Sequence, residues 1–312
     1  MRRFLTLAGA IVPVALTISV PLRAETLPIE GIYPAGNDTL SALNSLAIRS
    51  FTGSEGQSLA IQLEQRLRDV SVKGVPYFSI VPFRGGGSAD GALSGSAYGR
   101  SETRNEVVKR QICAARNDKG KCVETRNVDE NCTRRNITLN YTLSVEGRRQ
   151  ERLFAISNTV VNTNLICSDT TGVPPIDVVL QYLTANLAGE LRLQFAPMER
   201  REDIRVKEGV EGLEGNAKKK FKDGIKLTKK NTTSACEVWG EVDQLVPNHA
   251  PTLFNLGLCA ESRGEYDSAE ALYTRVQNLD RSQQYAAAAI QRLGLRRHAD
   301  RQLAVHVTRR RS

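Results

Sequence analysis

The clearest alternation in the chain runs from Asn136 to Val145, where Ile137, Leu139, Tyr141, Leu143 and Val145 interleave with Asn136, Thr138, Asn140, Thr142 and Ser144. A period of two predicts a strand with one buried and one polar face. Glu146–Arg149 turns the chain and Leu153–Ile166 returns, so a long antiparallel hairpin is expected, its facing residue numbers summing to about 297–299. Further upstream, Ser45–Phe51 reads as a short strand and Leu59, Leu63, Leu67 and Val70 recur at helical spacing. Tyr77–Val81 reads as a second strand. Ser54, with Gln57 three residues on, is placed to cap that helix. Ala92–Arg100 reads as a small-residue strand. Behind the hairpin, Ile176, Val179, Leu180, Leu183, Leu187, Ala188 and Leu191 form one stripe of a helix.

These periods predict an α+β chain in two parts. An N-terminal α/β sandwich of β-α-β, long hairpin and helix spans 45–212, after an extension over 25–44. Residues 102–131 are expected as an insertion from it, its carboxylates Glu102, Glu106, Asp129 and Glu130 in the least structured part. Met198–Gly215 suits a linker or an edge strand. An all-helical part follows over 213–295, and residues 296–312, ending Arg309-Arg310-Arg311, are expected as a frayed basic tail.

The helical part carries an internal repeat. Leu253, Leu256, Gly257, Ala260, Ala269, Tyr273 and Val276 occupy the helix–helix contact positions of a 34-residue unit. Ala235, Trp239, Val242 and Pro247 stand 34 residues before their counterparts. The pattern resembles a tetratricopeptide array, with Ala235, Trp239, Pro247, Leu253, Leu256, Gly257, Ala269 and Tyr273 as its packing positions and Pro247 ending the second helix. The first helix of the first copy is lysine-rich and matches poorly, with Gly224 one residue out of phase.

The first residues change the picture of location. Arg2 and Arg3 precede an apolar run over 4–22, and Ala24 suits a cleavage site, so residues 1–24 are expected to be a secretory signal peptide. Six cysteines follow, an even number in an exported chain, without a Cys-x-x-Cys pair and with only three histidines, which points to disulfides rather than metal. Cys113 and Cys122 flank the Asn117–Gly120 turn. Cys132 and Cys167 sum to 299 and so face each other across the hairpin. Cys236 and Cys259 fall on helices adjacent in the repeat, where a disulfide and two buried thiols both fit.

The formal net charge is +9, falling to +6 without residues 1–24, a mild excess compatible with anionic envelope polymers or lipid head groups. Aromatics at 5% leave no basic stripe with stacking residues, so nucleic acid is not expected. The glycine-rich 84–92 stretch lacks the Gly-Lys-Ser/Thr ending of a phosphate loop. No Gly-x-Ser-x-Gly or His-Glu-x-x-His motif occurs, so no catalytic residue and no cofactor is expected.

In order, Ser45–Phe51, the Gly-Ser-Glu-Gly turn, the amphipathic helix and Tyr77–Pro82 resemble the start of the periplasmic domain shared by the curli secretion protein CsgG and the penicillin-binding-protein activator LpoB. That resemblance implies a non-catalytic binding and assembly role in the bacterial periplasm or at the periplasmic face of the outer membrane. Envelope proteins are the implied partners, and a homo-oligomer is compatible. A curli-type outer-membrane component is the alternative, an envelope hydrolase the second.

Overall fold

The computed structural model describes residues 25–81, 89–280 and 284–311. The expected signal segment 1–24 and residues 84–88 of the glycine-rich stretch lie outside these described residues. The chain is a mixture of helices and strands, and it divides into two compact units, Glu30–Glu202 with Ala287–Ser312, and Met1–Ile29 with Asp203–Ala286.

In the larger unit a five-stranded sheet has the order β5 (Ser79–Val81), β2 (Ser45–Thr52), β6 (Gly91–Arg116), β7 (Cys122–Gly147), β8 (Arg152–Ile166). The first three strands are parallel and the last three form an antiparallel meander. The parallel step is made by α2 (Gly56–Arg68), whose Leu59, Leu63 and Leu67 are fully buried. Beside it lies α3 (Ile176–Phe195), which buries Val179, Leu183, Leu187, Leu191 and Phe195. Both helices cover the sheet face formed by Leu93, Ala97, Ile137, Leu139, Tyr141, Leu143 and Val145, which gives one continuous apolar core. The short α1 (Asp38–Ser41) is capped by the Asn37 side chain. A small hairpin joins β3 (Ser71–Val72) to β4 (Val75–Pro76). β1 (Thr26–Tyr33) and β9 (Met198–Arg205) form a separate two-stranded ribbon, within which the division between the units falls.

Three expectations are corrected here. Residues 102–131 are no insertion: β6 and β7 run unbroken for 26 residues each, and their pairing is continuous from Gly91↔Gly147 to Cys113↔Thr125. The alternation fades past Ile137 because nothing covers the distal part, and an uncovered strand needs no apolar face. Ser54 does not cap α2. Its Oγ accepts from the Gly99 N–H at 3.1 Å, and Glu55 at the cap position makes no side-chain capping bond. The stretch from Arg296 is not a frayed tail, because α8 (Gln284–Arg311) is helical up to Arg311 and buries Leu293, Arg296, Ala299, Gln302 and His306. Within the larger unit, Gln302 exchanges two hydrogen bonds with the backbone of Ala35, at 2.8 and 3.1 Å. His306 stacks on Tyr77 with ring centroids 3.9 Å apart.

The smaller unit holds two antiparallel helix pairs, α4 (Gly215–Leu227) with α5 (Thr232–Leu245) and α6 (Ala250–Ser262) with α7 (Tyr266–Leu279). Ala235, Trp239, Leu253, Ala269 and Tyr273 are fully buried, Gly257 is buried and Leu256 is half-buried. Pro247, expected among the packing positions, is instead exposed in the turn after α5. Proline lacks the N–H a helix needs, so it stops α5 without reaching the core. Gly224 lies three residues from the end of α4 and Gly257 five from the end of α6, and the connector Thr228–Asn231, one residue longer than Arg263–Glu265, offsets only one of those two residues, so Gly224 falls one residue out of phase in sequence. In space the two glycines are equivalent, Gly224 against the Trp239 ring and Gly257 against the Tyr273 ring.

Candidate interaction surface

Strands β6 and β7 outrun the rest of the sheet. β2 leaves β6 at Ser96, and β8 leaves β7 at Thr133, which faces Asn105. From there the two strands continue as a two-stranded arm of about 40 Å, at ~3.4 Å per residue. The arm has an unpaired edge on each side. At its tip the Asn117 side chain accepts from the N–H groups of Lys119 and Lys121, and Gly120 takes a positive φ of 73° to close the turn. The Cys113–Cys122 disulfide ties the strands just below.

The base of the arm is clamped. Cys132 bonds to Cys167, which fastens the chain leaving β8 onto β7. Ser168 donates to Glu130 from both its N–H (3.0 Å) and its hydroxyl (2.6 Å). The Arg110 guanidinium forks onto Asp169 at 2.7 and 2.8 Å and also reaches Glu130 at 2.8 Å. Arg134 forks onto Glu106 at 2.8 and 2.5 Å. Bidentate charge-assisted bonds of this kind fix orientation as well as contact. The Arg134 guanidinium holds the Glu106 carboxyl below the usual range, the Ser168 donors do the same for Glu130, and Arg110 does so for Asp169. Carboxyls held ionised in this way are poor proton donors. Glu106 and Glu130, expected in unstructured chain, are clamp residues on strands.

Neither face of the arm is apolar. One presents Thr103, Asn105, Val107, Lys109 and Gln111 opposite Arg135, Thr133, Asn131, Asp129 and Asn127. The other presents Arg104, Glu106, Val108 and Arg110 opposite Arg134, Cys132, Glu130 and Val128. The sheet face away from α2 and α3 is also polar and accessible. Ser96 and Thr142 hydroxyls meet at 2.8 Å, Thr159 donates to Asn140 at 2.7 Å, and Thr163 donates to Asn136 at 2.9 Å.

No family model and no curated protein matches this chain. Among solved structures, the dodecamer of a point variant of PelC from Paraburkholderia phytofirmans aligns with 54% of this chain and 98% of that chain. The identity is 12% and the TM-score 0.24. So low a score says nothing about shared fold, assembly or function.

One group of metal-type ligands occurs among the described residues. Glu130 and the sulfurs of Cys132 and Cys167 lie within 4.8 Å of one another. The two sulfurs are bonded to each other, and a metal takes a thiolate. The third bridge, Cys236–Cys259, ties α5 to α6 in the smaller unit. Three disulfides and no free cysteine among the described residues fit an exported protein folded in an oxidising compartment. No described helix is long and apolar enough to cross a membrane.

Proposed function

We propose that the chain is a non-catalytic binding and assembly adaptor of the bacterial periplasm or the periplasmic face of the outer membrane. On this reading the arm of the α/β unit engages an envelope protein, and the two helix pairs act as a short tetratricopeptide-like array offering a second protein-binding surface.

The observation that carries the reading is the arm, whose two strands leave the core, keep both edges unpaired and are braced at tip and base by disulfides. Unpaired edges offer N–H and C=O groups to an extended segment of a partner, which adds as a further strand. Bracing lowers the ordering cost of that addition. A role as a membrane-inserted hairpin fits less well, since a lipid-facing strand needs an apolar face at every second residue. The charge on both faces of the arm suits a wet interface.

Affinity capture with residues 25–312 from the native envelope tests this, repeated on a variant in which 107–131 are replaced by an Asn-Gly turn, so that the facing pair Glu106 and Cys132 flanks it. Loss of captured proteins in the shortened variant, with unchanged thermal unfolding, is the expected result. Capture of the same proteins by both forms overturns the arm as the docking element.

A further inference from the structure

The excess positive charge of the protein sits in two helical segments, the lysine-rich α4 with its connector and the arginine-rich α8, which holds seven arginines and one aspartate. Residues 25–312 carry +6, because the three arginines of residues 1–24 account for the rest of the +9. The stretch 216–230, which is α4 and its connector, holds seven lysines and one aspartate, a net +6. The remainder of 25–312 sums to zero only because the +6 of α8 is offset by an acidic excess elsewhere in the chain.

On α4 the apolar and basic positions separate cleanly. Ala217, Phe221, Gly224 and Ile225 are buried against the smaller unit's core. Three lysines are paired, Lys220 with Glu241, Lys226 with Asp223 and Lys229 with Glu25. Lys218, Lys219, Lys222 and Lys230 have no ion-pair partner among the described residues. Lys218, Lys222 and Lys226 follow one another every four residues, so they form a stripe along the outer side of the helix.

We infer that this lysine face docks the protein on an anionic phospholipid surface. Lysine is a compact, flexible point charge, suited to a field of phosphates rather than to one forked site. The aromatic ring of α4 is buried, so the face offers nothing for a base or a sugar to stack on. Its apolar side is likewise spent on the core, which leaves peripheral electrostatic attachment without insertion. This goes beyond the adaptor reading, which stands or falls on the arm. A polybasic segment near an anionic leaflet gains about five-fold in partitioning per lysine.

Sedimentation of residues 25–312 with vesicles tests the inference. Binding is expected to vesicles containing phosphatidylglycerol, to fall with added salt, and to be absent from phosphatidylcholine alone. The variant K218Q/K219Q/K222Q/K230Q is expected to bind roughly 600-fold more weakly, with an unchanged circular dichroism spectrum. A variant losing the same charge elsewhere, R66Q/R149Q/R152Q/R301Q, is expected to retain most binding. Equal loss in the two variants would show only a net-charge effect and overturn the assignment. So would wild-type protein that stays in the supernatant with phosphatidylglycerol vesicles, or that is retained by immobilised polyglutamate while ignoring vesicles.

Discussion

Gly224 abuts Trp239 so closely that a β-carbon at Gly224 would stand 2.6 Å from the indole nitrogen. One helix pair on, Gly257 meets Tyr273 in the same way. Each glycine lets a large ring lie flat on the neighbouring helix, and both rings are fully buried. Replacing glycine by alanine within a helix ordinarily gains about 1 kcal/mol. Here the ring must move, and overpacking of a tight core costs roughly 1–3 kcal/mol. Gly224→Ala and Gly257→Ala are each expected to lower the melting temperature, and a rise in either would show that the rings can yield.

The two disulfides of the larger unit should differ in what they stabilise. Cys132–Cys167 joins residues 35 apart and fastens chain next to the core. Its replacement by two serines is expected to cost about 2–4 kcal/mol in denaturant unfolding. Cys113–Cys122 joins residues nine apart at the arm's tip, beyond the core. Its removal should leave global unfolding nearly unchanged and raise amide exchange only around 110–125.

The clamp at the arm's base should loosen in acid and not before. Glu106, Glu130 and Asp169 are all held below their ordinary values by Arg134, Ser168 and Arg110. A carboxyl with a lowered folded pKa contributes stability that is present above its unfolded value, near 4, and lost as pH falls through the folded one. Protection of the amides at 167–170, relative to their intrinsic exchange rate at each pH, should therefore stay constant from neutral pH down to about 4 and fall below. These groups lie at the surface, where ion pairs add little to global stability. Arg110→Ala should therefore leave the melting temperature nearly unchanged while releasing the same segment to exchange.

Two buried histidines act in the same direction but at higher pH. Burial lowers the pKa of His306, which is stacked on Tyr77, faces the Ser41 carbonyl and lies near Arg310. Burial also lowers that of His249, which lies edge-on to Phe221 with Glu211 opposing the shift. A histidine with a lowered folded pKa costs stability as pH falls below its unfolded value, about 6.5. The protein is expected to melt at lower temperature at pH 5 than at pH 7. His306→Gln, which cannot charge, should flatten part of that slope, and an unchanged slope would remove His306 as a contributor.

Legibility followed physical cause. The alternation from Ile137 to Val145 showed a strand because its far side is solvent and its near side is α2 and α3. The arm was missed because an element with no covering layer carries no hydrophobic period, and β6 and β7 there read as charged connector. The C-terminal half of α8 was missed for another reason. Its buried stripe, Leu293, Arg296, Ala299, Gln302 and His306, has helical spacing but polar members, and their partners at Ala35, Asp38 and Ser41 lie more than 250 residues away. The carboxylates Glu106 and Glu130 could not be told from surface charge until the register set Arg134 and Arg110 beside them.

By itself the sequence determined what local chemistry dictates: the amphipathic helices, the hairpin strands, the cysteine usage and the lysine-rich helix, since each is a period or a composition readable within a short window. Tertiary structure alone decided how far β6 and β7 project, that the last helix belongs with the α/β unit, and which charges are paired. Those depend on contacts between residues distant in the chain, and no local pattern encodes a partner that only folding brings near.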